Sequence, residues 1–183
     1  MLPLIPFAIV GTGLYALFRY LNPQAPSATD ALSSIEQTVS DTVQKITDLF
    51  PKAAPYEDAI NTAQNKYGIP QNYLAKLLNA ESAYRPDIIS GQKRSTTGAT
   101  GIAQFMPATA ADLGINPIDP IQSIDASGKY LSQLYAKFGN WTEAIAAYNW
   151  GQGNVERKGL AKAPKETVDY VQKIAGIDIT KGV

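Results

Sequence analysis

Apolar positions along this chain recur at helical spacing after one uninterrupted run at the start. Met1 to Phe18 contains no charged residue before Arg19. About 18 to 20 such residues can just span the hydrocarbon core of a bilayer, so residues 1–21 read as a membrane anchor helix. A cleaved signal peptide and a buried helix of the main domain are the competing readings. A signal peptide usually carries basic residues ahead of its apolar run, and here only the amino terminus precedes it. Arg19, the nearest flanking charge, favours a cytoplasmic position for the downstream domain. That is a single-residue vote.

Residues 22–54 read as a linker and an amphipathic helix. Asn22-Pro-Gln-Ala-Pro-Ser is a loop by its prolines. From Thr29 to Phe50, apolar residues stand at Leu32, Ile35, Val39, Val43, Ile46 and Phe50. This 3-4 spacing predicts a helix capped by Asp30, either a short coiled-coil stalk that could join a partner or a second copy, or a helix lying on the main domain. Pro51 and Pro55 end it, which places the domain at 55–183.

Within that domain the pattern predicts helices over 57–67 (stopped by Gly68), from Pro70 to before Pro86, 107–113 (stopped by Gly114), 121–138, 141–149 and 166–175 (stopped by Gly176). Asn140 and Glu143 form a capping pair for the fifth of these. No stretch alternates like a strand. The expected fold class is all-α.

One position breaks the pattern. Leu74, Leu77 and Leu78 mark one helix face, and the next position on it is Glu81. Seven steps of about 100° return to within roughly 20° of the start, so the acid points where the leucines point. A carboxylate on a core-facing stripe is unfavourable unless paired, protonated or used. Desolvation disfavours its charged form, so its pKa is expected to rise toward neutrality. Protonated near neutral pH, it could give a proton to a leaving oxygen. The bland alternative is a cap, or a pair with Arg85 one turn later.

Composition narrows the chemistry. The 183 residues carry 16 basic and 16 acidic side chains, no histidine and no cysteine. Scattered basic residues and zero net charge do not make a nucleic-acid surface. Without imidazole or thiol, Ser-His-Asp and Cys-His catalysis and thiolate metal sites are excluded. What is left is carboxylate, lysine or tyrosine chemistry, or an all-oxygen metal site. Two further clusters stand out. Gly101-Ile-Ala-Gln-Phe-Met-Pro runs from a glycine turn into a helix start and would bring Gln104 close to a ligand. Ala147-Tyr-Asn-Trp-Gly ends a helix with aromatics and an amide, groups that suit sugar rings and hydroxyls. Each taken alone also reads as ordinary structure.

Taken in order, Glu81-Ser82, Gly101-Ile-Ala-Gln-Phe-Met-Pro and Ala147-Tyr-Asn resemble the three signatures of the soluble lytic transglycosylase (SLT) domain. The resemblance runs from about Pro55 to Gly176, through Asp119-Pro120, the Ile121 helix and Glu166-Thr-Val-Asp-Tyr-Val, and covers none of the N-terminal third. It implies a lysozyme-like helical fold that cleaves the MurNAc–GlcNAc β-1,4 bond of peptidoglycan glycan strands, with no cofactor and no metal. It further implies that Glu81 acts first as acid and then as base toward the MurNAc C6 hydroxyl, giving a 1,6-anhydro product. By the same resemblance Ser82 and Gln104 position Glu81 or the acetamide, and Met106 lines the cleft. Tyr148 and Asn149 steady the cationic sugar centre and the acetamide, and Tyr170 is a further cleft residue.

Two departures from the family pattern are visible. Ala103 is smaller than the methionine at that position of the Gly-Leu-Met-Gln pattern and is expected to loosen the cleft floor. The long connection from Ser90 to Gly101 holds Lys93 and Arg94, read either as a lid or basic contact or as a solvated tip. Asp87 is the candidate second carboxylate for a goose-type muramidase that would hydrolyse the same bond; it also reads as a turn residue. A catalytically idle, membrane-anchored structural or glycan-binding protein is the alternative outside enzymes. The expected setting is a membrane-anchored protein acting on the cell wall, for secretion or conjugation machinery or as a phage virion protein.

Overall fold

A computed structural model describes Ser27, Thr29, Asp30, Ser33 and residues 45–180. The anchor expected at 1–21, and most of the amphipathic segment, lie outside the described residues. Among the described residues, no helix is long and apolar enough to cross a membrane. Thr29 and Asp30 are helical, but the capping side chain is Ser27. The Ser27 hydroxyl accepts from the Asp30 N–H (3.0 Å), and the Ser27 N–H donates to the Asp30 carboxylate (3.2 Å). This reciprocal pair satisfies two donors at once and makes Asp30 the partner of the cap.

Ile46 opens the compact unit that holds the site, ahead of Pro55 where the pattern places the domain's start. Lys45 is not helical, so the last turn of the amphipathic pattern is a separate short helix, α1 (Ile46–Leu49). Pro51–Tyr56 then form a 3-10 stretch. After it come α2 (Glu57–Tyr67), α3 (Tyr73–Ser82), α4 (Pro86–Ile89), α5 (Pro107–Leu113), α6 (Pro120–Phe138), α7 (Trp141–Trp150), α8 (Gln152–Lys158) and α9 (Lys165–Ala175). Among the described residues the only β pairing is an isolated bridge between Thr100 and Phe105. The unit is all-α, as expected.

Local chemistry accounts for most of the boundaries. Pro86, Pro107 and Pro120 begin helices at positions where the missing N–H would have had no partner. Left-handed glycines, such as Gly68 at φ 63° and Gly176 at φ 73°, end them. Asp119 caps α6 by accepting from the Ile121 and Gln122 N–H groups at 3.0 and 3.1 Å. These bonds hold its carboxyl below the usual range. Asn140 caps α7 by accepting from the Glu143 N–H at 2.8 Å.

Helix α7 is central, packed by α6, α8 and α9, with Ala144 to Ala147 wholly buried. The small side chains let its neighbours approach, and the helix carries Tyr148 and Asn149 to its exit. Helix α3 buries Leu74, Ala75, Leu77 and Leu78 and touches α9. Burial of each leucine is worth about 1.5–3 kcal/mol. The acid-bearing helix is thus fixed against the closing helix.

Candidate active site

Glu81 occupies the last turn of α3 and is half-buried. Its partner is Tyr170 of α9, whose hydroxyl donates to Glu81 Oε1 at 2.5 Å. Arg85 does not pair with Glu81. The helix stops at Ser82, the next two residues turn left-handed, and the Arg85 guanidinium donates to both carboxylate oxygens of Asp87 at 3.2 and 2.6 Å. That pairing holds the Asp87 carboxyl below its ordinary range.

The Glu81 carboxyl is pushed up from 4.5 to about 7. Burial is the main cause. The Tyr170 hydrogen bond works the other way, and the negative charge of Glu166 raises the value further. Glu81 also stands near the negative end of the α3 dipole, which disfavours a carboxylate in the same direction. Glu166 is the charged neighbour of Glu81 that sequence reasoning missed. The signal for it was present, since Glu166 and Tyr170 are four residues apart on α9 and share a face.

Tyr148 joins this group from α7. Burial raises its phenol well above 10, and the charge of Glu81 contributes. Its hydroxyl donates to the Ala103 carbonyl at 3.3 Å, and its ring lies near Phe105 and Tyr130, with centroids 6.2 and 5.5 Å apart. Ala103 itself is buried, so its methyl group belongs to the core while its carbonyl anchors Tyr148. Asn149 accepts from the Thr167 hydroxyl of α9 at 2.7 Å. Glu81, Tyr148 and Tyr170 are therefore gathered from three helices, with Asn149 tied to the third of these.

The other expected residues are placed differently. Ser82 is buried, and its hydroxyl donates to the Leu78 carbonyl (3.0 Å) and accepts from the Tyr84 N–H (3.2 Å). Gln104 sits at φ 49° and donates from Nε2 to the Gly101 carbonyl at 2.8 Å. Met106 is exposed at the entry to α5. Two surface cavities, of about 780 and 590 Å³, run beside α9 and the C-terminal residues and are lined by neither Glu81 nor Tyr170.

The two neighbours of Glu81 on α9 should act in opposite senses. Tyr170→Phe removes the bond that favours the charged form and should move the Glu81 pKa above about 7. Glu166→Gln removes a repelling charge and should move it down. Carboxyl NMR titration of both variants tests this, and shifts of the same sign would contradict the arrangement.

Fold and site together define a helical domain built around one desolvated acid. The family model of the transglycosylase SLT domain matches residues 58–171, and the chain belongs to that family. It is 33% identical over 132 residues to membrane-bound lytic murein transglycosylase F of Stutzerimonas stutzeri, covering 65% of this chain and 26% of the relative. It is 32% identical over 100 residues to the transglycosylase of Enterobacteria phage PRD1, covering 54% and 36%. The soluble lytic murein transglycosylase of Escherichia coli is 31% identical over 138 residues, covering 68% and 20%. The chain thus spans between about a fifth and about a third of these relatives' lengths. A solved structure of the lytic transglycosylase Slt of Pseudomonas aeruginosa, an inactive glutamate-to-glutamine mutant, matches with a TM-score of 0.54 at 26% identity, covering 87% of this chain and 28% of that one.

Proposed function

We propose that this chain is a peptidoglycan lytic transglycosylase that cleaves the MurNAc–GlcNAc β-1,4 bond and leaves a 1,6-anhydroMurNAc end. The observation that carries the reading is the Glu81–Tyr170 pair, an acid whose carboxyl titrates near 7 and whose anion has a hydrogen-bond donor in place. The murein transglycosylases among its relatives support the substrate class.

Glu81 donates its proton to the glycosidic oxygen as the C1–O bond breaks, and the GlcNAc side leaves as an alcohol. The resulting carboxylate takes the Tyr170 hydrogen bond and faces the cationic MurNAc centre. It then removes the proton of the MurNAc C6 hydroxyl as that oxygen bonds to C1. Glu81 ends protonated, and no water is consumed. Asn149 and Gln104 serve the acetamide and Met106 the wall of the cleft. Tyr148 steadies the sugar centre, and Ser82 acts by holding the helix end.

Glu166 favours one second reading, hydrolysis of the same bond. Its charge reaches Glu81 while Asp87 is engaged by Arg85, so the candidate base for a water molecule is Glu166. Mass spectrometry of digested murein separates the two. Products lighter by one water, with no reducing MurNAc end, are expected, and free reducing ends would establish the hydrolase. An idle glycan-binding role leaves the desolvation of Glu81 without a use.

The setting proposed is local opening of the wall by a protein held to a membrane through residues 1–21, with the 29–50 segment available for self-association. Membrane-bound and phage transglycosylases both occur among the relatives.

A further inference from the structure

The helix that carries Glu81 ends in an unusual way. Ala83 and Tyr84 come after Ser82 with φ of 50° and 51°, two consecutive non-glycine residues in the left-handed region. Such residues persist only where the surroundings over-determine them. Here the surroundings can be named. Tyr84 is 2% exposed, and its hydroxyl reaches back along α3 to donate to the Ala75 carbonyl at 2.8 Å. Its N–H donates to the Ser82 hydroxyl, which in turn donates to the Leu78 carbonyl. Its ring is stacked with Tyr56 (centroids 6.3 Å apart, planes 17° apart) and meets Phe50 at 6.0 Å and 41°.

Phe50 and Tyr56 belong to the entry segment, not to the helices of the site. That segment is anchored in turn. Ile46 and Ala53 are buried, the Phe50 N–H donates to the Ile46 carbonyl at 2.7 Å, and the Ala53 N–H donates to the Phe50 carbonyl at 2.8 Å. Aromatic contacts of this geometry hold orientation as well as area. The family model begins at residue 58, so neither ring falls within the matched region.

We propose that Phe50 and Tyr56 are positioning residues for Glu81. By clamping Tyr84 they hold the reversed end of α3, one turn of which presents the acid to Tyr170. The inference rests on the lytic reading of the site. The charged or titratable groups that act on the acid are Tyr170 and Glu166 of α9, and its own charge acts on Tyr148 of α7; Arg85 is held away by Asp87. A loosened helix end would admit water to Glu81 and move its titration back toward that of an ordinary carboxylate.

The test uses the whole 183-residue chain with Phe50→Ala, Phe50→Leu and Phe50→Tyr. Removal of the ring should lower kcat by roughly 10- to 100-fold with KM changed less than about twofold, because small displacements of a reacting group act on turnover. The alkaline limb of the pH profile should move to lower pH, and Phe50→Tyr should restore both. If Phe50→Ala does not fold, Phe50→Leu gives the answer. A folded Phe50→Leu chain with wild-type kcat and an unmoved pH profile would overturn the clamp, as would a change confined to KM. If the wild type itself shows no lytic activity, it is the functional reading that fails. The clamp is then decided by NMR titration of Glu81, with equal values in the wild type and Phe50→Leu overturning it.

Discussion

Replacing Glu81 with Gln is expected to abolish lysis of purified murein while making the folded chain more stable above neutral pH. A positioned general acid or base is worth about 10²–10⁴-fold. One residue here serves in both steps, so the loss should lie near the upper end, about 10⁴-fold. The amide cannot give up a proton, yet its oxygen can still accept from Tyr170, so the local geometry should survive. The stability gain comes from linkage. The carboxyl titrates at about 7 when folded and at 4.5 when free. Between those values the folded chain holds a proton that the unfolded chain has released. Stability therefore falls as pH rises from about 4.5 to about 7, by an amount on the order of 3 kcal/mol at most. It levels off above that range. The Gln variant lacks this decline. Urea unfolding at pH 4, 6 and 8 should give curves that converge in acid and separate in base, and parallel curves would mean that Glu81 is not desolvated. In the wild type, activity that needs the protonated acid should fall off above about pH 7.

How much of this was legible in the sequence depends on the range of each signal. Helical periodicity is local, and it places α5, α6 and α7 to within a residue or so because Pro107, Pro120, Asn140 and the terminal glycines mark their ends. It also exposes Glu81, whose fault is visible within its own helix. The pattern starts that helix too early, at Pro70. Asn72 is left-handed at φ 65°, so α3 begins at Tyr73. Helices α4 and α8 have single buried residues, Ile89 and Val155, and so leave almost no pattern. The turn at Pro51–Tyr56 reads as a stop because two prolines interrupt it, yet its Ala53 is in the core. The pairing of Glu81 with Tyr170 joins residues 89 positions apart. Nothing in either segment's own pattern announces the other. The family resemblance points to Tyr170, but the charge of Glu166 beside it, and the role of Ser82 inside its own helix end, required coordinates.

The largest structural effect is expected at Gly101. Its φ is 82°, and a Cβ built there would lie 1.7 Å from the Pro117 carbonyl oxygen and 2.8 Å from the carbonyl carbon. Both are backbone atoms. Pro117 O is also held by the Ser123 hydroxyl of α6 at 3.0 Å, so it has little freedom to withdraw. The Gly101 carbonyl accepts from both the backbone N–H and the side-chain Nε2 of Gln104, at 3.2 and 2.8 Å. Moving Gly101 therefore moves Gln104, the Ala103 carbonyl that receives Tyr148, and Phe105 against the Tyr148 ring. Gly101→Ala should lower stability by about 3–5 kcal/mol, at the severe end for single substitutions. For a unit of this size that is a fall in Tm of roughly 10 °C or more. The fraction that remains folded should turn over about 10²-fold more slowly, because the displaced turn carries groups of the site. Gly68→Ala is the matched control. Its φ of 63° is equally left-handed, but nothing lies within 4 Å of the added atom. It should lose only the conformational term, about 1–2 kcal/mol, and keep its activity per folded molecule. Calorimetry with a murein assay on both variants separates strain from close approach. Equal losses at the two glycines would show that the contact with Pro117 is not what fixes the turn.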